Sequence, residues 1–555
     1  MAHRKRINYI FFFVFFVLFL FLMWKCRYGY GHIDETFYLT IPLRLCKGDC
    51  LILDEWHPTQ LFGFLLYPLM KVYLWITNST EGIVLNFRYI FTVVWAVNSL
   101  FIYFRLKSKS IYGAFFSSVF FMLFVPGGIM ALNYNSLGIL LLLDACILIA
   151  TSENRNPVQK CIAGLLFAGA VLCCPYLVIL YLFFTAAAFI RRKKARDIIH
   201  TWIMVTLGCA LLFALFCFFV FVMRHASVSD LAKSIPELFN DPKHMSQSII
   251  QVTVNYLSYT VTCVRMFPLC LLAALAAAVV SKWKKQPAAG FIITIIIIAI
   301  TQLYFLIRGF YINCFMFPIN LIVPYCVLHS RKREIRNPFR MIWIPGLIYT
   351  YCINIASDQR FYAIASASTV MVIASVMIMI EFVKELDLKT NNKTLARIAL
   401  VSAALLIGIQ SGAELYSRYS SIYWEDDGMA AQTVLAENGT EKGILMTPER
   451  YDAYLSDNAD MAVIRNDTRI SRLLILSNNT NLYLSAGREF ATYSAWLGGV
   501  DDYTMQRLDV FYDIRPEKIP DTIYIEKGFS QYNEMFADKG YDSEQLDSGA
   551  FLLRR

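Results

Sequence analysis

Charge is scarce in this 555-residue chain: Asp, Glu, Lys and Arg together make up 17% of it, against 57% hydrophobic and 15% aromatic residues. That balance excludes a soluble multidomain protein and reads as a polytopic membrane protein. Several signatures are also missing: a phosphate loop, a dinucleotide fingerprint, an HExxH helix and a Ser elbow. Their absence argues against ATP-driven transport, soluble dehydrogenase chemistry and zinc proteolysis. There is no internal repeat and no low-complexity linker. The apolar run from Tyr9 to Trp24 follows "MAHRKR" as a signal peptide would, but no small-residue cleavage site comes after it. It reads as a retained first helix.

What is present is a succession of apolar runs. A crossing helix needs about 20 mostly apolar residues, and that rule predicts about thirteen spans. They lie near 8–26, 83–104, 111–127, 136–151, 158–172, 174–190, 198–223, 259–281, 288–307, 311–329, 341–356, 361–383 and 396–414. The basic loops "AHRKR", "RLKSKS", "ENRNPVQK", "RRKKAR", "SKWKK", "HSRKREIRNPFR" and "KELDLKTNNK" then all fall on one face, which basic residues mark as cytoplasmic. The opposite face receives a first loop over 27–82, the stretch "PGGIMALNYNS", and everything after about Glu414. Of 51 Lys and Arg, 14 follow Tyr416, whereas 23 of the 41 Asp and Glu do, so the formal +10 divides into about +19 and about −9. The positive charge describes cytoplasmic loops and gives no sign of nucleic-acid binding.

The chain is thus expected to hold two parts: a multi-pass membrane domain over 1–417 and a small extracytoplasmic α/β domain over 418–555. In the tail, "LLILS", "NLYLS", "DTIYIEK" and "AFLLRR" have strand character, and "PERYDAYLSD", "TMQRLDVFYDI" and "FSQYNEMFADKG" have helical spacing. Most of the 14 cysteines sit in apolar runs and read as small core side chains. Cys46 and Cys50 in "CKGDC" lie in a polar loop, where a local disulfide and two free thiols remain equal alternatives.

The first outer loop concentrates the ionisable groups. Asp34 and Glu35 follow the first span in "GHIDETFYLT", at the start of an amphipathic segment suited to the membrane interface, and Asp54, Glu55, Trp56 and His57 follow in "DEWHPTQLFG". A single acid beyond a helix end is most often simply solvated. Several converging beside lipid offer a carboxylate to take a proton from an acceptor and a second group to bind or polarise, which a glycosyl transfer needs.

A first helix followed by "DE", an aromatic-rich segment, a Gly, "HP" and a further apolar run resembles the GT-C superfamily of membrane glycosyltransferases. The likeness is to the glycosyltransferase family 39 group of protein O-mannosyltransferases and the bacterial aminoarabinose transferase. It covers the first loop closely and the rest only through span number and topology. The resemblance implies a polyprenyl-phosphate sugar donor, places the catalytic base on Asp34 with Glu35 as partner, and gives Glu55 and His57 a place in the donor or acceptor pocket. The family's frequent second Pro after His-Pro is Thr59 here, which puts the path of that segment in doubt. Asp34 and Glu35 could also hold a divalent ion, for which two carboxylates are a weak signal.

A polyprenyl-phosphate leaving group calls for outward-facing cations. Arg308 in "IRGFYINCFMFP" and Arg360 in "SDQRF" are the leading candidates, with Arg224 and Arg265 next; each could instead snorkel to headgroups. Asn133 and Tyr134, with Asn135, form a polar cluster that could bind sugar hydroxyls and more often would cap a helix. Asp144 is a lone acid inside a span, distant from the first loop. Asn-x-Ser/Thr triplets at Asn78, Asn438, Asn466 and Asn478 are expected by chance in a chain of this length.

The preferred reading is transfer of a sugar from a polyprenyl-phosphate donor to an acceptor (wall polymer, lipid or protein) at the outer face of a cell membrane. The alternative is a transporter or flippase of a lipid-linked substrate, which would place ionisable and helix-breaking residues at mid-membrane in related halves. A binding module anchored by the membrane part is a third reading, for which thirteen spans are excessive.

Overall fold

The computed structural model describes residues 2–31, 33–152, 156–190, 196–240, 248–262, 267–308, 312–357, 359–389, 392–422 and 427–555. Among them, seven helices are long and apolar enough to cross a membrane, from Arg4–Lys25 to Lys393–Ser420. An eighth candidate is the pair Phe361–Ala367 and Thr369–Leu388, bent by 48°. The expected thirteen is therefore not reached by full-length helices. The runs near 158–172, 174–190, 259–281 and 311–329 hold the shorter apolar helices Pro157–Cys173, Pro175–Ile190, Pro268–Trp283 and Cys314–His329, and 341–356 begins with a π-helical turn, Phe339–Trp343, before Ile344–Ala356.

The first helix, α1 (Ala2–Lys25), leads into a loop that holds two more helices, α2 (Asp34–Cys46) and α3 (Phe62–Thr77), before α4 (Ile83–Leu106). The expectation of an interfacial amphipathic segment at α2 is corrected here. Every residue from Glu35 to Leu45 is buried, so no face is left for lipid headgroups. α3 packs against α2 so closely that a Cβ on Gly63 would fall 2.4 Å from Ile41 Cγ2. From the other side comes the short helix Asn481–Ala486; Thr36 and Thr480 share a 2.7 Å hydroxyl contact across that seam.

The C-terminal part is an α/β unit. Its strands β1 (Val434–Leu435) and β2 (Leu445–Met446) form a small antiparallel pair. The strands β3 (Arg472–Leu476), β4 (Glu489–Phe490), β5 (Thr522–Ile525), β6 (Asp542–Gln545) and β7 (Phe551–Arg554) form a mixed sheet in the order β4-β3-β5-β7-β6. Parallel pairing of β3 with β4 and β5 uses helices Asn481–Ala486 and Asp502–Ile514 as crossovers. "NLYLS" is thus helix and not strand: its residues are buried all round, and Gly487 in left-handed conformation stops it.

The two parts are joined through backbone. Leu445 N–H donates to Arg27 O, and Gly29 N–H donates to Leu445 O at 2.8 Å, so the chain leaving α1 extends the β1–β2 pair. Gly29 has φ +83 and a Cβ there would lie 2.2 Å from Ile422 Cγ2, so only glycine fits this junction.

Candidate functional site

Asp34 is the first residue of α2 and is half-buried. A carboxylate in the first turn of a helix is favoured by the exposed N–H groups and the dipole there. One helical turn on, Tyr38 shares its face, and the Tyr38 ring lies 6.0 Å from that of Tyr134.

Glu35 is held differently. Arg88, on α4, donates from Nε to Glu35 Oε1 at 2.5 Å and from Nη2 to Oε2 at 2.6 Å, and both residues are buried. The remaining guanidinium nitrogen, Nη1, donates to Cys26 O at 2.9 Å and Tyr28 O at 3.3 Å at the end of α1. Among the described residues no group of three or more His, Cys, Asp and Glu is arranged to hold a metal.

Beside the Glu35–Arg88 pair lies a narrow cleft lined by three basic residues, Lys25, Arg88 and Arg418, with Glu35 as its lining carboxylate; Asp34, the neighbour of Glu35 in sequence, is not among the lining residues. The backbone of Gly128–Met130, in the "PGGIM" loop, closes one side and Tyr30 another. Lys25 Nζ donates to Tyr419 O at 3.2 Å, and Arg418 Nε is buried without a hydrogen-bond partner. In this conformation the cavity is about 20 Å3, room for about one water-sized group. Sequence reasoning missed all three cations. The signal was available, since Arg88 interrupts an apolar span and ionisable residues there tend to be paired or functional.

The other predicted residues are spread more widely. Glu55 Oε2 accepts from Arg44 Nη1 at 2.5 Å, and Arg44 Nε donates to Asp49 Oδ2 at 2.7 Å. Asp49 Oδ1 in turn accepts from Lys518 Nζ at 2.5 Å, and Asp54 lies 2.7 Å from Arg515 Nη1. Burial pushes the Glu55 carboxyl up against the pull of Arg44, and burial with the Asp49 charge lifts Asp54 to about 6. These acids form an ionic network that clamps the first loop to the C-terminal unit.

His57 packs its ring 4.9 Å from Phe37 and 5.5 Å from Trp496. Thr59 N–H donates to its Nδ1 at 3.3 Å, and the Thr59 hydroxyl lies 2.8 Å from the same nitrogen. Thr59, which stands where the family's frequent second Pro after His-Pro would, is therefore the residue that orients the imidazole.

Arg308 is exposed at the end of the helix Pro287–Ile307, and Arg360 is exposed with its guanidinium 6.0 Å from the Tyr259 ring. Neither lines the cationic cleft. Arg224 donates to Leu45 O and stacks 4.9 Å from the Phe219 ring, closing the end of α2; Arg265 lies outside the described residues. Asn133 caps the helix Tyr134–Thr151 in a capping box with Ser136, accepting at 2.9 Å, and its buried Nδ2 has no hydrogen-bond partner. Asp144 accepts from Asn98 Nδ2 at 3.3 Å inside its span. The Cys46 and Cys50 thiols are free, and burial raises them to about 11 and about 12.

A roomier cavity of about 900 Å3, lined by Arg105, Lys109 and Arg333, opens at the other end of α4. From Arg88 to Arg105 the helical rise is about 25 Å. The cavity sits among the basic loops and meets none of the first-loop acids.

No protein-family model matches the chain, and no curated protein matches it. Among solved structures, the crystal structure of ArnT from Cupriavidus metallidurans bound to undecaprenyl phosphate superposes with a TM-score of 0.43 at 9% identity. That superposition covers 98% of this chain and 97% of that one.

Proposed function

We propose that this chain is a membrane glycosyltransferase that takes a sugar from a polyprenyl-phosphate donor and passes it to an acceptor on the outer face. The observation that carries the reading is the cleft in which Lys25, Arg88 and Arg418 face a single lining carboxylate, Glu35, at the ends of two helices long enough to span a membrane. Glu35 neutralises Arg88. Lys25 and Arg418, with its unpartnered Nε, are left to meet an anion where lipid headgroups begin. A lipid phosphate has that charge and arrives at that depth. Entry requires the Lys25 and Arg418 side chains to swing aside, because the cleft as it stands is closed to a phosphate.

In this reading the acceptor O–H or N–H approaches the anomeric carbon from the side opposite the phosphate. The acceptor oxygen or nitrogen forms the new bond to that carbon, the bond from the anomeric carbon to the phosphate oxygen breaks, and the proton passes to Asp34. The electron pair leaves on the polyprenyl phosphate, where Lys25 and Arg418 stabilise the charge as it develops. One displacement inverts the anomeric centre. Asp34 is the base and not Glu35, because both Glu35 oxygens are committed to Arg88.

The test is a proteoliposome supplied with a labelled polyprenyl-phosphate sugar and an acceptor extract. Asp34→Asn is expected to lower transfer by about 10²- to 10⁴-fold, the usual worth of a general base, with the melting temperature unchanged. Unimpaired transfer by that variant, or accessibility labelling that puts position 34 on the cytosolic face, overturns the reading. A transporter of the same lipid is a second reading, favoured by the 48° bend between Phe361–Ala367 and Thr369–Leu388. In the same vesicles it would move label across the bilayer without transferring it.

A further inference from the structure

A second cleft lies on the far side of Tyr30. Tyr30 is buried, is carried on the segment that extends the β1–β2 pair, and walls both the cationic cleft and this one. The second cleft encloses about 370 Å3, within the range of small-ligand sites. Its walls come from the helix Pro448–Asn466 and from the loops that follow β3 and β5, so the C-terminal unit builds nearly all of it.

Its chemistry is the reverse of its neighbour's. Asp457 and Glu526 outnumber Arg450, and Tyr30, Tyr454 and Phe529 supply ring faces. The carboxylates are set in place, not loose: Asn479 Nδ2 donates to Asp457 Oδ2 at 2.7 Å, and Ser477 Oγ donates to Glu526 Oε2 at 2.7 Å. Asn478 adds an exposed amide at the rim. Aromatic rings pack on the C–H faces of a sugar, while carboxylates and amides take its hydroxyls. Glu526, joined by Asp457 as pH rises through about 7, offsets Arg450, so the cleft has no surplus positive charge to draw a phosphorylated or uronic sugar.

We infer that this cleft binds a non-anionic sugar unit, neutral or amine-bearing, and that it holds the acceptor beside the donor site. The word acceptor rests on the glycosyltransferase reading; the sugar site itself does not. Charge sorts the two substrates. The phosphate of the donor is drawn to the Lys25 and Arg418 side of Tyr30 and finds no surplus positive charge on the Asp457 and Glu526 side. The C-terminal unit is then half of the active site and not an appendage.

The test uses the full chain in lipid nanodiscs and two separate readouts. The first is saturation-transfer NMR with methyl glucoside, methyl galactoside, methyl mannoside and glucosamine, with glucuronic acid and glucose 6-phosphate as anionic controls. The second is binding of undecaprenyl phosphate. At least one non-anionic sugar should give saturation transfer and neither anionic control should. Asp457→Asn, Glu526→Gln and Phe529→Ala should each cut that signal at least fivefold while leaving undecaprenyl-phosphate binding unchanged. Melting curves identify any variant that fails to fold, in which case the remaining two decide. No transfer from any non-anionic sugar, equal transfer from the anionic controls, or full signal in the folded variants overturns the inference. Lys25→Ala with Arg418→Ala should abolish undecaprenyl-phosphate binding and spare the sugar signal. If lipid binding survives that double change while the sugar signal still depends on Asp457, the donor reading falls and the sugar site stands.

Discussion

Arg88 grips Glu35 with two parallel hydrogen bonds of 2.5 and 2.6 Å, joining α4 to the start of α2 across 53 residues of sequence. Since both partners are buried, removing one leaves the other charged and unpaired, at a cost of about 3–5 kcal/mol. Arg88→Met is therefore expected to lower the melting temperature sharply. The double variant Glu35→Gln with Arg88→Met should recover more than half of the loss, because no bare charge remains. Scanning fluorimetry in detergent reads both; equal destabilisation of the single and double variants would show that packing, not charge pairing, dominates here.

Lys25→Ala and Arg418→Ala each remove one charged donor from the cleft. Each is expected to weaken undecaprenyl-phosphate binding about ten- to a hundredfold, the worth of a charge-assisted hydrogen bond. Arg308→Ala and Arg360→Ala, exposed and outside the cleft, should change it less than threefold. Equilibrium binding of the four variants in nanodiscs checks the contrast.

The network around Arg44 predicts a mechanical phenotype. Arg44 meets Glu55 and Asp49, and Asp49 meets Lys518. Lys518→Met removes one partner of a buried pair and should loosen the C-terminal unit from the first loop. Limited proteolysis should then cut the chain between Ser420 and Val434 at least several times faster than in the wild type. Lys442→Ala, which removes an exposed pair with Glu81, should leave the rate unchanged.

Stability should fall as pH rises toward neutrality. Burial and the neighbouring Glu526 raise Asp457 to about 7, and burial raises Glu441, behind Tyr30, to about 7. Between the ordinary carboxylate range and about 7 the folded protein holds protons that the unfolded chain releases. Their contribution is thus complete at low pH and is lost as pH rises through about 7. The melting temperature of the wild type should drop as pH rises from about 5 to about 7 and level off above that. Asp457→Asn with Glu441→Gln should flatten that drop, and an unchanged slope would assign it to other groups.

Much of the architecture was legible before any coordinates. Apolar runs report membrane affinity residue by residue, and the change of composition after the last run marks the α/β unit. Helix α2 was legible as a helix but not as a buried one. Its amphipathic reading failed because "NLYLS", taken as strand, folds into the short helix that covers it.

At the site, Asp34 and the first-loop acids could be singled out because they are neighbours in sequence and unusual in type. The partition of roles among them could not. The sequence by itself determined a polytopic helical chain with acids gathered behind its first helix, since hydropathy and charge act locally. Only the tertiary structure decided that Arg88 occupies Glu35, that Lys25 and Arg418 share one cleft from opposite ends of the membrane part, and that Tyr30 divides that cleft from an acidic one. Those relations depend on which distant segments meet, and packing of whole helices sets them.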